Sequence, residues 1–308
     1  MTALTDHVQA YLRIRRALGY GLVAAERVLL RFAADLDARG QSQLTVDAAL
    51  AWATSPAGTP RRIAARRLSM IRQFALHLSA LEPDTEVPPG RLIGAHPSRP
   101  APCIFTPVQV QDLMRCASQL PSPVLAASFA TMIGLMAATG LRTSEALALD
   151  DVHLDLPAGR LLVQSSKFGK TRQVPLDPTV VTALGHYQRR RDRLSRHRSS
   201  LSFLLAPSGD RLGGHLVSDT FRALLTDANI SVPAGRRQPV LHDLRHTFAV
   251  NTLREWHADG VDVERRLPVL STYLGHLNPA NTYWYLQAVP ELMSVVADRL
   301  EAFHEAQS

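Results

Sequence analysis

A chain of 308 residues with 46% apolar content is long enough to bury two ordinary cores, which excludes a disordered tail or a small disulfide-stapled module. Its formal net charge of +7 favours a polyanionic partner, nucleic acid first. Cys103 and Cys116 stand in no metal-ligand spacing, Met1 to Tyr20 lacks the basic-then-apolar order of a signal peptide, and the longest uncharged stretch, Cys116 to Leu141, is broken by Pro121 and Pro123, so a cytoplasmic chain without a membrane span is expected.

Residues 1–82 read as helical throughout. Val8, Tyr11, Leu12 and Ile14, then Val28, Leu29, Leu30, Phe32 and Leu36, recur at helical spacing, with breaks at Gly19-Tyr20-Gly21, Arg39-Gly40 and Pro56 to Pro60. This predicts about four helices. The last, Thr59 to Leu81, sets an apolar stripe of Ile63, Leu68, Ile71, Phe74, Ala75 and Leu78 against Arg61, Arg62, Arg66, Arg67 and Arg72. Such a helix can bury one face and lay the other along a phosphate backbone, or present a solvated basic face to water. Residues 83–105 hold Pro88-Pro89-Gly90, His96-Pro97 and Pro100-Ala101-Pro102 and read as an interdomain linker.

A second domain, 106–308, opens with Thr106-Pro107, a helix start with proline in its first position. A buried helix then ends at Thr139-Gly140-Leu141-Arg142. Two strand-like runs follow, Arg160 to Gln164 and Arg172 to Leu176, joined by a turn that carries Lys167 and Lys170. The rest is helical apart from loops near Phe203 to Gly214 and Val232 to Pro239. Arg189 to Arg198 is a dense basic run on a helix, either touching DNA or solvated, and Val289 to Phe303 is an amphipathic tail with Leu292, Val295, Val296, Leu300 and Phe303 on its apolar side. The fold class is mainly α with a small antiparallel β-sheet.

Of 34 basic residues only Lys167 and Lys170 are lysine, and both sit in that one turn. Arginine cannot release a proton near neutral pH, whereas lysine can, so the turn is suited to a proton donor; two exposed turn lysines clustered by chance are the bland alternative.

Four segments complete the chemistry: Thr139 to Glu145, the Lys167 turn, Leu241-His242-Asp243-Leu244-Arg245-His246-Thr247-Phe248, and Tyr273-Leu274-Gly275-His276 with Tyr285 nine residues on. His242 and His246, at i and i+4, could pair on a metal, but Asp243 stands where the metalloprotease pattern has glutamate and no cysteine lies near. Taken together the segments resemble the tyrosine recombinases, the phage-integrase-like enzymes that cut and rejoin DNA. The likeness spans about Thr106 to Leu300 and, more loosely, the helical N-terminal region.

The resemblance implies a C-shaped two-domain DNA clamp, with a SAM-like core-binding domain before the catalytic one. It assigns Arg142, Lys167, His242, Arg245, His276 and Tyr285 as catalytic, with Lys170 as alternate for Lys167 and Tyr283 as rival nucleophile. Two arginines can grip the non-bridging oxygens of the crowded, extra-negative phosphorus. His242 would activate the phenol, His276 would orient the phosphate, and Lys167 would protonate the departing 5′ oxygen. A 3′-phosphotyrosyl link preserves the bond energy, so no cofactor or metal is needed. Double-stranded DNA is the expected partner, bound by a homotetramer or a mixed assembly of recombinases on paired sites. Arg61, Arg62, Arg66, Arg67, Arg72 and Lys170 are the expected DNA contacts. Glu145 either supports an arginine or a histidine or is a surface charge. Three rival functions are an idle accessory DNA-binding subunit, a type IB topoisomerase-like enzyme and a zinc hydrolase, the last weakened by the missing ligands around His242 and His246.

Overall fold

The structure, a computed structural model, describes residues 3–41, 43–94, 101–164, 171–195, 198–232, 237–276 and 278–288. Lys167, Lys170 and the tail helix expected from Val289 lie outside them. The chain divides into two compact units, Met1–Arg99 and Pro100–Ser308.

The first unit is a bundle of α1 (Leu4–Ala17), α2 (Val23–Ala38), α3 (Val46–Thr54) and α4 (Arg61–Leu78). The i, i+3, i+4 stripes read from the sequence form its core: Val8, Tyr11 and Leu12 meet Leu29, Phe32 and Leu36, and Leu68, Ile71, Phe74 and Leu78 close the other side. Asp37, at the end of α2, accepts hydrogen bonds from the Leu4 and Thr5 amides and the Thr5 hydroxyl, so one carboxylate satisfies the orphan donors that begin α1. The proline-rich stretch is partly docked on this bundle. Val87 and Ile93 pack on its core, and Glu86 accepts from the Val46 amide at 2.7 Å, where it caps α3.

The second unit is built around α6 (Pro123–Thr139), whose Phe129, Met132, Ile133 and Met136 are fully buried. Before it runs α5 (Pro107–Ser118), started by a reciprocal bond pair between Thr106 and Gln109. After it come α7 (Thr143–Leu147), β1 (Leu154–Asp155), β2 (Arg160–Val163) and β3 (Arg172–Pro175). The strands form one antiparallel sheet in the order β1-β2-β3, with Val163 opposite Arg172 as the last pair before the lysine-bearing segment. Leu161, Val163 and Val174, on one face of the sheet, enter the same core as α6. Then follow α8 (Pro178–Leu194), α9 (Gly214–Asp227), α10 (Asp243–Ala258), α11 (Val263–Leu274) and α12 (Ala280–Ala288). A smaller core joins α10, α11 and α12 through Val250, Leu253, Leu267, Leu270, Leu274 and Tyr285.

The basic run on α8 is divided: Arg189, Arg190 and Arg193 are exposed, whereas Arg191 is not. Arg191 is 1% exposed and bonds Asp151 at 2.6 Å and the Phe203 carbonyl at 2.9 Å, so it acts as a buried brace between α8 and the turn before β1.

Candidate active site

Five of the six catalytic residues expected from the sequence fall in described segments, and a continuous chain of contacts joins them. Its centre is the C-terminal end of α11. The last carbonyls of a helix have no partner within it and carry partial negative charge. Here three successive ones accept from three different arginines: Tyr273 from Arg172 at 2.9 Å, Leu274 from Arg245 at 2.6 Å, and Gly275 from Arg142 at 2.8 Å. Arg245 also donates to the Gly140 carbonyl at 2.8 Å, which ends α6. The two helix ends are thereby tied to one guanidinium.

Both ends turn on glycine. Gly140 and Gly275 sit in the left-handed region, at φ 62° and 68°. A Cβ on Gly140 would stand 2.5 Å from Phe248 Cδ1, and one on Gly275 would stand 3.0 Å from Arg172 Nη1. Neither carbonyl could be presented this way by a larger residue without moving the neighbours that complete the site.

Glu145, on α7, is the anionic hub. It accepts from Arg142 Nη1 at 2.5 Å and the Arg142 amide at 2.9 Å, and takes a two-pronged grip from Arg172 at 2.9 and 2.8 Å. Arg245 Nη1 lies 3.9 Å from its Oε2. Of the two roles open to Glu145, the arginine support is the one observed: its side chain is buried. Arg172 had no assigned role. The signal was present, because strand alternation sets Arg172 on the same inward face as buried Val174.

α10 carries the other half. Asp243, fully buried, is held by Arg237 and accepts from the Val240 amide at 2.8 Å, which fixes the start of the helix. His242 stands at that start, and its ring meets His246 edge-on with centroids 5.0 Å apart. His246 Nδ1 lies 2.9 Å from the Tyr285 hydroxyl. Tyr285 is 1% exposed, whereas its rival Tyr283 is 45% exposed. His276 lies in near-parallel planes with Tyr285, centroids 6.4 Å apart, and shares a 2.7 Å hydrogen bond with the buried Thr282 hydroxyl. His246, which sequence reasoning considered only as half of a metal pair, is thus a hydrogen-bond partner of the tyrosine hydroxyl.

The arginines of α4 are disposed differently. Arg62 and Arg66 are exposed and share a groove with Arg27 of α2. Arg31 adds to it one turn further along α2, lining the adjoining hollow with Arg27 and Arg67. Arg61 and Arg67 are turned back on the bundle, donating to the Ile93 and Ser55 carbonyls, each at 2.5 Å, and Arg72 is half-buried.

The profile of the phage integrase family matches residues 104–291. The chain belongs to the phage integrase family. These are the tyrosine recombinases, enzymes that break and rejoin DNA strands. It is 36% identical to the putative integrase/recombinase y4rB of Sinorhizobium fredii over 98% of each chain. It is 32% identical to tyrosine recombinase XerD of Caulobacter vibrioides over 74% of this chain and 71% of that one. Its fold is shared with the XerH site-specific recombinase solved on a palindromic difH substrate, at a TM-score of 0.67 and 15% identity over 91% of this chain and 80% of that one.

In this tyrosine recombinase the electrostatics of the cluster are unbalanced in favour of an anion. Burial pushes the Glu145 carboxyl up, but the hydrogen bonds and charges of Arg172 and Arg142 outweigh it and hold its pKa at about 2. Burial, and then the like charge of Arg142, pulls the Arg245 guanidinium down to about 10. It remains charged at neutral pH, yet its depressed value records a cation held where positive charge is in excess. Arg142, Arg172 and Arg245 surround one carboxylate, so an arriving phosphodiester would relieve their mutual repulsion.

Proposed function

We propose that the chain is a site-specific DNA recombinase in which the Tyr285 hydroxyl attacks a phosphodiester to form a 3′-phosphotyrosyl link. One observation carries this reading: the buried Tyr285 hydroxyl bonds His246, which directly follows Arg245 on α10, while Arg245 and Arg142 are both fixed by carbonyls at the end of α11. A bond forms from Tyr285 Oη to phosphorus, the bond from phosphorus to O5′ breaks, and the charge that accumulates on the non-bridging oxygens is held by Arg142 and Arg245. His242 and His276 serve the phosphate from the sides on which α10 begins and α11 ends. Lys167, with Lys170 as alternate, gives its proton to the departing 5′ oxygen, which arginine cannot do. Attack by a 5′ hydroxyl from another strand then reverses the step and joins new partners.

DNA is held in part by the groove of Arg62, Arg66, Arg27 and Arg31 on the first unit. Four protomers on two DNA segments would complete strand exchange.

The test uses nicked duplexes of a sequence that the protein binds specifically, incubated with wild type, Tyr285→Phe and Tyr283→Phe and then denatured. A covalent protein–DNA band lost only in Tyr285→Phe is expected. No band from any variant on DNA that is demonstrably bound would overturn the reading in favour of an accessory DNA-binding protein. The general-acid role of Lys167 has its own check. Lys167→Ala should slow cleavage greatly on ordinary DNA but much less when sulfur replaces the leaving 5′ oxygen; equal losses on both would remove that role.

A further inference from the structure

We propose that His246, through Nδ1, is the group that accepts the Tyr285 proton during cleavage. The inference rests on Tyr285 being the nucleophile and assigns its activation to a residue outside the set read from the sequence. A general base must lie within about 2.6–3.2 Å of the atom it deprotonates. His246 Nδ1 meets that condition at 2.9 Å from the Tyr285 oxygen.

The surroundings hold the pair together. His246 is 5% exposed and Tyr285 1%, so bulk water does not compete for the hydroxyl. The imidazole is walled by the rings of His242 at 5.0 Å, Trp284 at 5.6 Å and Tyr285 at 5.5 Å, and it sits on α10, one residue after Arg245, while Tyr285 sits on α12. To act as acceptor the ring must be in its neutral form, because only the neutral imidazole has an acceptor nitrogen. A phenol is a far stronger acid than a neutral imidazole N–H, and in the proposed arrangement the Tyr285 hydroxyl donates to Nδ1 with the ring proton on Nε2.

Among the described residues, the charged and titratable groups around the pair include Arg245 and His242 from α10, His276 from the end of α11, and Arg142 through the shared cluster. Arg245 lies close enough to Tyr285 for each to perturb the other's charge, and its cation favours the phenolate. In the forward step the O–H electron pair stays on Oη, which bonds to phosphorus, and the proton moves to Nδ1. On rejoining, as the bond from phosphorus to Oη breaks, the same proton returns to the phenol oxygen. The exchange balances with no added reactant. His242, at the first turn of the same helix, is then left to the phosphate rather than to the tyrosine.

The decisive variant is His246→Asn, because a short amide keeps a polar atom near the Nδ1 position but cannot take up a proton. Single-turnover cleavage of a nicked duplex should slow by about 10²–10⁴-fold. The rate should climb with pH as hydroxide takes over, and noncovalent DNA affinity should stay within about twofold, as expected for a proton-transfer role alone. Cleavage near the wild-type rate with an unchanged pH profile, or faster cleavage, would overturn the assignment. Tyr285→Phe run in parallel separates the two claims: a covalent adduct surviving there would sink the nucleophile reading itself. A second measurement needs no variant at that site. Nitrogen-15 spectra of histidine-labelled wild type should show His246 with a bare Nδ1 and a protonated Nε2; a proton on Nδ1 would exclude it as acceptor.

Discussion

The two arginine-rich regions of this molecule use the same residue for opposite purposes. On α4 and α2, Arg62, Arg66, Arg27 and Arg31 are exposed along an open groove. At the end of α11, Arg142, Arg172 and Arg245 are each fixed by a helix-terminal carbonyl and face one buried carboxylate. In the first region the charge matters and its exact placement does not; in the second the planar fork is what ties the pieces together. Exposed charges are screened and interchangeable, whereas a buried guanidinium that has lost its water is useful only if every N–H finds its target.

The comparison is broken most sharply by replacing arginine with lysine in both places. Arg245→Lys keeps the charge, but one ammonium cannot bridge the Gly140 and Leu274 carbonyls and still meet a phosphate. Single-turnover cleavage should fall by about 10²–10³-fold. Arg66→Lys should leave DNA affinity within about twofold. Equal effects in the two regions would remove the distinction.

Next in size is the carboxylate. Glu145→Gln leaves the guanidiniums without their counter-charge and should cost about 3 kcal/mol in denaturant unfolding at neutral pH. The pKa of Glu145 is held at about 2, below its ordinary 4.5, so its contribution is complete above the ordinary value and is lost as pH falls toward 2. The stability gap between wild type and Glu145→Gln should therefore shrink across that window, and a gap constant from pH 7 to pH 2 would contradict the ion cluster.

Among the described residues Arg172 bonds Glu145 and the Tyr273 carbonyl. Arg172→Ala should slow cleavage about tenfold by letting Glu145 and Arg142 shift, with DNA affinity unchanged. The smallest effects belong to the groove. Arg62→Ala or Arg66→Ala should each lower the slope of log affinity against log salt by about 1, with similar losses on all sequences. Arg67→Ala should change it less, because Arg67 already donates to the Ser55 carbonyl.

What the sequence made legible follows from how local each feature is. The bundle of α1 to α4 and the hairpin of β2 and β3 are encoded by periodicities within single elements, and the Thr106-Pro107 helix start by adjacent residues. Motif residues such as Arg142 and Tyr285 were equally readable as candidates. Their partners were not. Arg142 meets Gly275 across 133 residues of chain and Arg245 meets Gly140 across 105, and no spacing rule reports such pairings. For the same reason Glu145 was ambiguous, Arg172 carried no role and His246 was read with its helical neighbour His242 rather than with Tyr285, 39 residues away. Arg61 and Arg67 resembled outward charges until the carbonyls they bond to were in place.

The central claim is that chemistry passes through the buried tyrosine rather than the exposed one two residues before it. It is tested most directly by trapping the covalent adduct on a nicked duplex, digesting both protein and DNA, and sequencing the modified peptide by fragmentation mass spectrometry. The account predicts a nucleotide phosphate on Tyr285. The same group on Tyr283 would contradict it, and with it the role drawn for His246.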